Sequence, residues 1–304
     1  MVLALFVGLA CIAADEPRLF ALESALNVWD IAAEDMNDDG RADLFVLTCD
    51  ETSYPLRKEV LVFQAQPDGS YTASPTYTLP LSPEAGALFF AEVDGTPPRE
   101  LVAADAEGAT VYRFTGADFE IYAQPRFFSL FPSGAKEPAF LKDNAIDLTG
   151  DGIEEWLIPV PSGYELRHAD RALATIKCDV VSEVSRRDST YIVHRLPAFQ
   201  AFTYDDSKHR GLAFLSDEFA DFAYGEDWRE TVRYRIPLNL QEKWEASARM
   251  EDISGNGFPD IMITQTRGTV RLQALTQVYI ATEPFEYPET PTATFETRGA
   301  IASP

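Results

Sequence analysis

The chain has 304 residues, 46% of them hydrophobic, which is enough to bury the core of one large domain. It carries 49 Asp and Glu residues against 25 Lys and Arg, a net charge of −24 that repels nucleic-acid phosphates and anionic lipids. We therefore expect no nucleic-acid partner. Three cysteines cannot build a disulfide framework, so Cys49 and Cys178 are expected to be free, with a single bridge as the alternative in an oxidising compartment.

Residues 1–14 are apolar and uncharged, and they are too few to span a membrane. The small residues Ala13 and Ala14 suit a cleavage site, so the segment predicts a secretory signal peptide followed by one repeat domain over residues 20–304. An alternative is that Cys11 carries a lipid anchor, because residues 8–11 resemble a lipoprotein signal. Either way, the sequence predicts a secreted, periplasmic or cell-surface protein without a membrane span.

The first loop, residues 35–43, has the composition of a cation site. Oxygen-bearing side chains occupy its positions 1, 3, 5 and 9: Asp35, Asn37, Asp39 and Asp43. Ca²⁺ takes six to eight oxygen ligands from a tightly curled loop, which Gly40 permits and to which Arg41 can add its backbone carbonyl. Apolar runs at 27–32 and 44–48 predict strands on either side, so the loop should close a hairpin. The competing interpretation is a plain Asp/Asn/Gly turn.

Three further loops repeat this design before an apolar run. The second loop, residues 92–100, replaces the alternating oxygens with Thr96-Pro97-Pro98, so we expect a turn that binds a cation poorly or not at all. The third loop offers Asp147, Thr149, Asp151 and Glu155. The fourth loop offers Asp252, Ser254, Asn256 and Asp260. Ranked by ligand charge, the first loop should bind Ca²⁺ most tightly and the fourth most weakly.

The spacing of the loops predicts a repeat protein. Their first residues are separated by 57, 55 and 105 residues, so one further unit is expected between the third and fourth loops, around residues 201–215. Each unit holds about four short strands separated by turn signals, which predicts an all-β fold. The predicted strands of these units include residues 71–79, 174–181, 269–272 and 277–280.

These loops differ from EF-hands, because position 12 is Val46, Ile158 or Ile263 rather than Glu, and a strand follows instead of a helix. The pattern resembles the FG-GAP/VCBS-type repeats that build the calcium-binding β-propellers of integrin α-subunits and many bacterial surface proteins. The resemblance implies a β-propeller of four-stranded blades, with about five blades visible and a larger, seven-bladed propeller as the alternative. It also implies Ca²⁺ as a structural ion.

The function expected from this resemblance is a non-catalytic binding or adhesion module, with a protein or polysaccharide ligand at the cell surface. One alternative is a carbohydrate-active enzyme resembling polysaccharide lyases, which would group His, Arg, Lys or Tyr at one mouth. Another is a structural segment of a longer surface protein.

No nucleophile motif of the Gly-x-Ser-x-Gly, His-Glu-x-x-His or Cys-x-x-Cys type occurs in the sequence. His168, His194 and His209 stand isolated, so the sequence assigns them no catalytic partner. The aromatic groups at 127–131 and at Tyr224 and Trp228 could face a sugar, although packing accounts for most such groups.

Overall fold

A computed structural model describes residues 3–5 and 20–300 apart from short internal gaps. The gaps are residues 143, 179, 186–190, 196, 204–209, 216–218, 226–227, 237–244, 269–270 and 284. The described part is all-β and contains no α-helix. It divides into two compact units. Unit 1 comprises residues 1–146, 152–160 and 167–171, and unit 2 comprises 147–151, 161–166 and the chain from 172 onward.

Unit 1 begins with a two-stranded pair and a four-stranded antiparallel sheet. Strand β1 (Leu3–Leu5) pairs with β2 (Phe20–Leu22). The first sheet runs in chain order through β3 (Asn27–Glu34), β4 (Asp43–Asp50), β5 (Arg57–Phe63) and β6 (Tyr77–Leu81). Because β3 and β4 flank the first loop, the predicted hairpin is confirmed.

The second sheet repeats this order and gains one strand. It contains β7 (Ala87–Ala91), β8 (Glu100–Asp105), β9 (Gly108–Phe114) and β10 (Phe119–Ala123), and the short β11 (Ala139–Phe140) pairs in parallel with β7. The third sheet contains β12 (Ala145–Ile146), β13 (Glu155–Val160), β14 (Gly163–Arg167) and β15 (Ala172–Lys177). Its residues are divided between the two units.

In unit 1 the second sheet is buried on both faces. Leu101 and Ala103 of β8 join a core with residues of the first sheet, whereas Val102 and Ala104 join a second core that contains Trp156 of β13. Successive side chains of a strand point to opposite faces, so this alternation places apolar layers on both sides of β8. Such a strand must be apolar throughout, which explains its uninterrupted Leu-Val-Ala-Ala run.

Unit 2 holds a hairpin and two further four-stranded antiparallel sheets. The hairpin is β16 (Val181–Ser185) and β17 (Tyr191–Arg195). The fourth sheet is β18 (Ala198–Thr203), β19 (Arg210–Leu215), β20 (Phe219–Tyr224) and β21 (Glu230–Arg235). The fifth is β22 (Glu245–Glu251), β23 (Asp260–Arg267), β24 (Arg271–Tyr279) and β25 (Ala293–Ala300). Phe202 and Phe222 share a core with Ile261, Ile263 and Tyr279.

Two predicted strands are shorter in the structure. The strand predicted over 71–79 begins only at Tyr77, because the preceding segment turns the Tyr71 hydroxyl toward the carbonyl of Ala42 instead of joining the ladder. The strand predicted over 174–181 ends at Lys177, since the chain from Val181 starts a separate hairpin with β17.

The last sheet also corrects the sequence prediction. The sequence predicts two separate strands over 269–272 and 277–280, but residues 271–279 form the single strand β24, which pairs with β23 along seven consecutive residues from Arg267 to Ile261. Residues 269–270 lie outside the described residues. The extra unit predicted around residues 201–215 is confirmed as a four-stranded sheet, β18 to β21. It keeps the repeat's strand order, although its loop between β18 and β19 lies outside the described residues.

Two further expectations concern cysteines and the membrane. Cys49 is buried and Cys178 half-buried, and neither forms a disulfide among the described residues. Within the ranges that the structure describes, no helix is long and apolar enough to cross a membrane. Cys11 and most of the predicted signal peptide lie outside those ranges.

Candidate functional site

The first loop folds into a curl lined by side-chain oxygens. Asp35 accepts hydrogen bonds from the N–H of Asp39 at Oδ1 (3.1 Å) and from the N–H of Gly40 at Oδ2 (2.7 Å). Asn37 Oδ1 accepts the same Asp39 N–H at 3.1 Å. Gly40 has φ of 80°, a left-handed conformation that glycine adopts without steric cost, so the predicted sharp turn at position 6 is confirmed.

Asp43, at position 9 of this loop, is fully buried at the start of β4. Its Oδ1 accepts the N–H of Ala65 at 2.7 Å, and its Oδ2 accepts the N–H of Met36 at 3.3 Å. Burial raises the pKa of Asp43 above its ordinary value, while the two backbone donors oppose that rise. The carboxylate therefore ties the start of the loop to the end of β5.

The fourth loop repeats these contacts in unit 2. Asp252 accepts the N–H of Asn256 at Oδ1 (3.0 Å) and the N–H of Gly257 at Oδ2 (2.9 Å). The buried Asp260 accepts the N–H of Ala281 at 2.9 Å and two loop N–H groups at 2.9 and 2.8 Å. The first and fourth loops thus share one hydrogen-bond pattern, although ligand charge ranked them at opposite ends for affinity.

A tyrosine closes each of these two loops from the side. The Tyr71 hydroxyl donates to the carbonyl of Ala42 at 2.8 Å, and the Tyr287 hydroxyl donates to the carbonyl of Pro259 at 2.7 Å. Both carbonyls belong to position 8, and burial raises the pKa of both tyrosines. Sequence reasoning missed this pair. The available signal was a Tyr 28 residues after Asp43 and 27 residues after Asp260.

The second loop keeps the curl but carries its own cation. Glu92 Oε1 accepts the N–H of Thr96 at 2.9 Å, as Asp35 accepts the N–H of position 5 in the first loop. The Arg113 guanidinium contacts Asp94 Oδ2 at 2.7 Å, and its Nε donates to Glu100 Oε1 at 2.6 Å. Glu100 is fully buried, and burial raises its pKa although Arg113 opposes that rise.

The third loop is divided between the units. In unit 2, Asp147 Oδ1 accepts the N–H of Gly150 at 2.6 Å, while Thr149 is half-buried and Asp151 exposed. In unit 1, the fully buried Glu155 lies 3.0 Å from His168 Nε2. His168 is therefore not isolated, contrary to the sequence analysis, because the fold brings it back to position 9 of the loop.

Strand register identifies the residue that faces position 9. Phe63 pairs with Leu44, Tyr112 with Leu101 and Tyr279 with Ile261. The position-9 residue directly precedes Leu44, Leu101 or Ile261 in its strand. It therefore faces the residue that follows Phe63, Tyr112 or Tyr279, which is Gln64, Arg113 or Ile280. Only the second of these is cationic, and it neutralises Glu100. In the first and fourth loops, the hydrogen-bond donors to the buried aspartate among the described residues are backbone N–H groups.

The first and fourth loops suit a hard cation chemically but are not closed around one. Among the described residues no group of three or more His, Cys, Asp or Glu side chains converges to hold a metal. Asp35 Oδ1 accepts two N–H groups, whereas Asp35 Oδ2 and Asn37 Oδ1 accept one each and keep a further lone pair. The Arg41 guanidinium also pairs with Asp39 at 2.5 Å, so a cation would have to displace it.

Beside these loops, Arg99 connects two sheets of unit 1. Its Nε lies 3.0 Å from Glu154 Oε2, its Nη1 lies 3.4 Å from Glu34 Oε2, and its Nη2 donates to the carbonyl of Phe90 at 2.8 Å. Burial raises the pKa of Glu34 and Glu154, and Arg99 opposes both shifts. One guanidinium thus serves two half-buried carboxylates.

A cleft of about 880 Å³ in unit 1 is lined by polar and aromatic side chains that are far apart in the sequence. Tyr122, His168, Asp170 and Arg171 line it. The Tyr122 hydroxyl donates to Asp94 Oδ2 at 3.2 Å, and Arg113 lies 3.7 Å from the centre of its ring. The cleft therefore adjoins both the second loop and the Glu155–His168 pair.

The chain matches no protein-family model and no curated protein. Among solved structures it is similar to a Tc holotoxin pore of Photorhabdus luminescens, at 14% identity and a TM-score of 0.37, covering 95% of this chain and 15% of that one. It is also similar to the V. cholerae biofilm matrix protein Bap1, at 9% identity and a TM-score of 0.28, covering 91% of this chain and 62% of that one. The chain thus spans less than two thirds of either structure.

Proposed function

We propose that this chain is a calcium-stabilised β-propeller of FG-GAP/VCBS type, exported to act as a non-catalytic binding module for a protein or polysaccharide. The observation that carries the proposal is the shared architecture of the first and fourth loops. Two sequences 217 residues apart form the same oxygen-lined curl, with a buried aspartate and a tyrosine on the position-8 carbonyl.

The propeller part of the proposal is supported by packing within unit 1. A propeller stacks four-stranded sheets face to face, so an internal blade must be apolar on both faces. The second sheet meets that requirement through β8, whose side chains enter two separate cores. The strand order follows the chain in each four-stranded array, as blades require.

In each loop, a bound Ca²⁺ would neutralise carboxylates that otherwise repel one another. In the first loop the proposed ligands are Asp35, Asn37, Asp39, Asp43 and the Arg41 carbonyl. In the third they are Asp147, Thr149, Asp151 and Glu155. In the fourth they are Asp252, Ser254, Asn256 and Asp260. Asp35 already holds its loop curled by accepting three N–H groups and Asp252 by accepting two, which limits the rearrangement that binding needs.

The test is calorimetric titration with Ca²⁺, paired with thermal unfolding in calcium and in chelator. A ligand that binds only the folded state at ten times its Kd stabilises it by about 1.4 kcal/mol, so the melting temperature should rise. The double variant Asp35→Asn with Asp252→Asn should lose most of the shift, whereas Glu120→Gln, on the exposed strand β10, should keep it. An equal shift with Mg²⁺, or none with Ca²⁺, would reject the calcium role.

A carbohydrate-active enzyme is the second candidate, favoured by the cleft in unit 1. The fully buried Glu155 fixes His168, whose side chain is 13% exposed, and Tyr122 and Arg171 line the same cleft. A histidine oriented by a carboxylate can transfer protons. The test is an assay for chain cleavage over a panel of polysaccharides. Cleavage that His168→Ala abolishes would establish the enzyme, and no cleavage of any substrate would favour the binding module.

A further inference from the structure

The cleft of about 880 Å³ in unit 1 has the volume of a small-ligand site, since such sites measure about 300–1,000 Å³. Four stretches of the chain line it: residues 93–94 of the second loop, 122–125 at the end of β10, 153 of the third loop, and 168–171 between β14 and β15. The structure describes every one of these residues, and all belong to unit 1. The cleft is thus formed within one compact unit.

Tyr122 lines this cleft from a β-bulge. Ile121 of β10 pairs with Tyr112 of β9, and the next residue of β9, Val111, pairs with Ala123, so Tyr122 is an extra residue without a partner in the ladder. A bulge bends its strand and re-aims a side chain, and bulges are frequent at sheet edges and beside active sites. The irregularity of β10 therefore falls on the residue whose ring faces the cleft.

Two contacts fix the ring of Tyr122 in place. The guanidinium of Arg113 lies 3.7 Å from the ring centre, and the hydroxyl donates to Asp94 Oδ2 at 3.2 Å. Arg113 is itself held by Asp94 and Glu100, so the group behind the ring is also ordered. Tyr122 nevertheless stays 43% exposed. A ligand can cover this ring without the entropic cost of ordering it first.

Planar polar side chains line the cleft beside the ring. His168 lies 3.0 Å from the buried Glu155, which orients its imidazole. Gln124, Asp170 and Arg171 are exposed and line the same cleft. An amide, a carboxylate and a guanidinium can each form two hydrogen bonds with neighbouring hydroxyl groups of one ligand. The cleft thus combines one ordered aromatic ring with several groups suited to hydroxyls.

The charges at the cleft favour a neutral ligand. Asp94, Asp170 and Arg171 are the Asp, Glu, Lys and Arg residues among its lining, so the lining gives no surplus of positive charge to attract an anion. The net charge of −24 on the whole chain repels anions further. A cation over the ring is disfavoured as well, because Arg113 already places a positive charge against it.

We propose that this cleft binds a neutral saccharide, with one sugar ring against Tyr122. A sugar ring has an apolar face for the aromatic ring and a rim of hydroxyl groups for Gln124, Asp170 and Arg171. An extended peptide could instead add to β10, the outer strand of the second sheet. The bulge at Tyr122 interrupts that edge and so disfavours an added strand. The inference rests on the proposed binding function and names its ligand class and site.

The experiment is calorimetric titration of the full chain with neutral hexamers of glucose, of mannose and of N-acetylglucosamine. Hexamers of galacturonic acid and of glucosamine, and the peptide hexathreonine, are the comparison ligands. At least one neutral hexamer should bind, and more tightly than every comparison ligand. Tyr122→Ala should weaken this binding about tenfold, because the ring contact is lost. The matched control Tyr54→Ala removes a fully exposed tyrosine of the same unit outside the cleft and should leave binding unchanged.

Further variants separate the ring contact from the polar contacts. Tyr122→Phe keeps the ring without the hydroxyl that donates to Asp94, and it should retain most of the affinity. Arg171→Ala should weaken binding severalfold, whereas Arg57→Ala, at an exposed arginine of β5 outside the cleft, should not. A loss in Tyr122→Phe as large as in Tyr122→Ala would overturn the ring contact.

The ligands themselves can also overturn the proposal. It fails if none of the three neutral hexamers binds, or if Tyr122→Ala leaves their binding intact. Tighter binding of the galacturonate or glucosamine hexamer would overturn the neutral assignment. Hexathreonine binding as tightly as the neutral hexamers would overturn the saccharide assignment.

Calcium titration keeps this proposal apart from the proposed function. If Ca²⁺ stabilises the protein and no neutral hexamer binds, the saccharide inference fails and the calcium-stabilised module stands. If a neutral hexamer binds in a Tyr122-dependent manner without any calcium effect, the saccharide inference stands and the calcium role fails.

Discussion

The first and second loops have the same curl, but their carboxylates are neutralised by different groups. In both, the position-1 carboxylate accepts the N–H of position 5. In the second loop, Arg113 of β9 reaches the carboxylates of positions 3 and 9. In the first loop, Gln64 occupies the corresponding place in the register, and within the described part of the chain the buried Asp43 accepts hydrogen bonds from backbone N–H groups.

The difference shows that a neighbouring strand can supply the positive charge that balances the carboxylates of such a loop. An arginine provides a fixed positive charge with several donors, which match two carboxylates at once. In the first loop, where no such arginine reaches position 9, the buried Asp43 accepts backbone N–H groups. The proposed calcium role therefore rests on the loops in which no arginine reaches the position-9 carboxylate. The predictions below test that distinction.

The largest expected effect follows Arg113→Gln. This change places a glutamine in the second sheet at the register position that Gln64 occupies in the first sheet. Glu100 would remain buried without its partner, so the free energy of unfolding in chelator should fall by about 3 kcal/mol. Calcium should then restore part of the loss, because the loop would hold Glu92, Asp94 and Glu100 without an internal cation. Urea unfolding with and without Ca²⁺ measures both effects.

Arg126→Gln is the control for that variant, since Arg126 and Glu107 form a pair with both side chains at least 80% exposed. Exposed pairs contribute less than about 1 kcal/mol, and no calcium effect is expected. If calcium fails to restore any stability to Arg113→Gln, the guanidinium does not stand in for a cation.

The next effect concerns pH. Because burial raises the pKa of Glu34 and Glu154, their protonation favours the folded state, and stability should increase as pH falls from about 7 toward their ordinary values near 4.3. Arg99→Gln removes the positive charge that opposes the rise in the pKa of Glu34 and Glu154. It should cost about 2 kcal/mol at neutral pH and steepen the gain on acidification. Unfolding measured across pH tests this, and an unchanged slope would contradict it.

A smaller effect is expected from the reciprocal change, Gln64→Arg. The new guanidinium should reach Asp43 as Arg113 reaches Glu100, and raise stability in chelator by about 1 kcal/mol. The rise in melting temperature that calcium induces should become smaller, because the first loop would no longer contribute to it. Gln66→Arg adds the same charge two residues later, and a calcium response reduced equally there would mean that net charge alone is responsible.

The smallest effect on stability is expected from Arg41→Gln. The Arg41–Asp39 pair lies at the surface, with side-chain exposures of 38% and 25%, so its loss should change stability by less than about 0.5 kcal/mol. Calcium affinity should nevertheless rise by about twofold or more, because the competing guanidinium is gone. Calorimetry measures the affinity, and weaker calcium binding by the variant would reject the competition.

Much of the local structure could be predicted from sequence. Apolar runs after each loop located β4, β8, β13 and β23, and the spacing of the loops located the sheet around residues 201–215. Strand limits were less accurate wherever polar and apolar residues did not alternate clearly. Residues 271–279 form one strand because β23 pairs with residues 273–279 without interruption, and neither predicted segment alone indicates that pairing.

By itself, the sequence determined the all-β class and the curled form of the loops, since periodicity, glycine and Asx chemistry act over a few residues. Only the tertiary structure decided which side chains from elsewhere in the chain contact each loop. Arg113, His168 and Tyr71 come from other strands or connections and reach their loops through register and packing. A cleft of about 590 Å³ in unit 2 has the same origin, because residues of β15, β20 and β21 line it although up to 60 positions separate them in the chain.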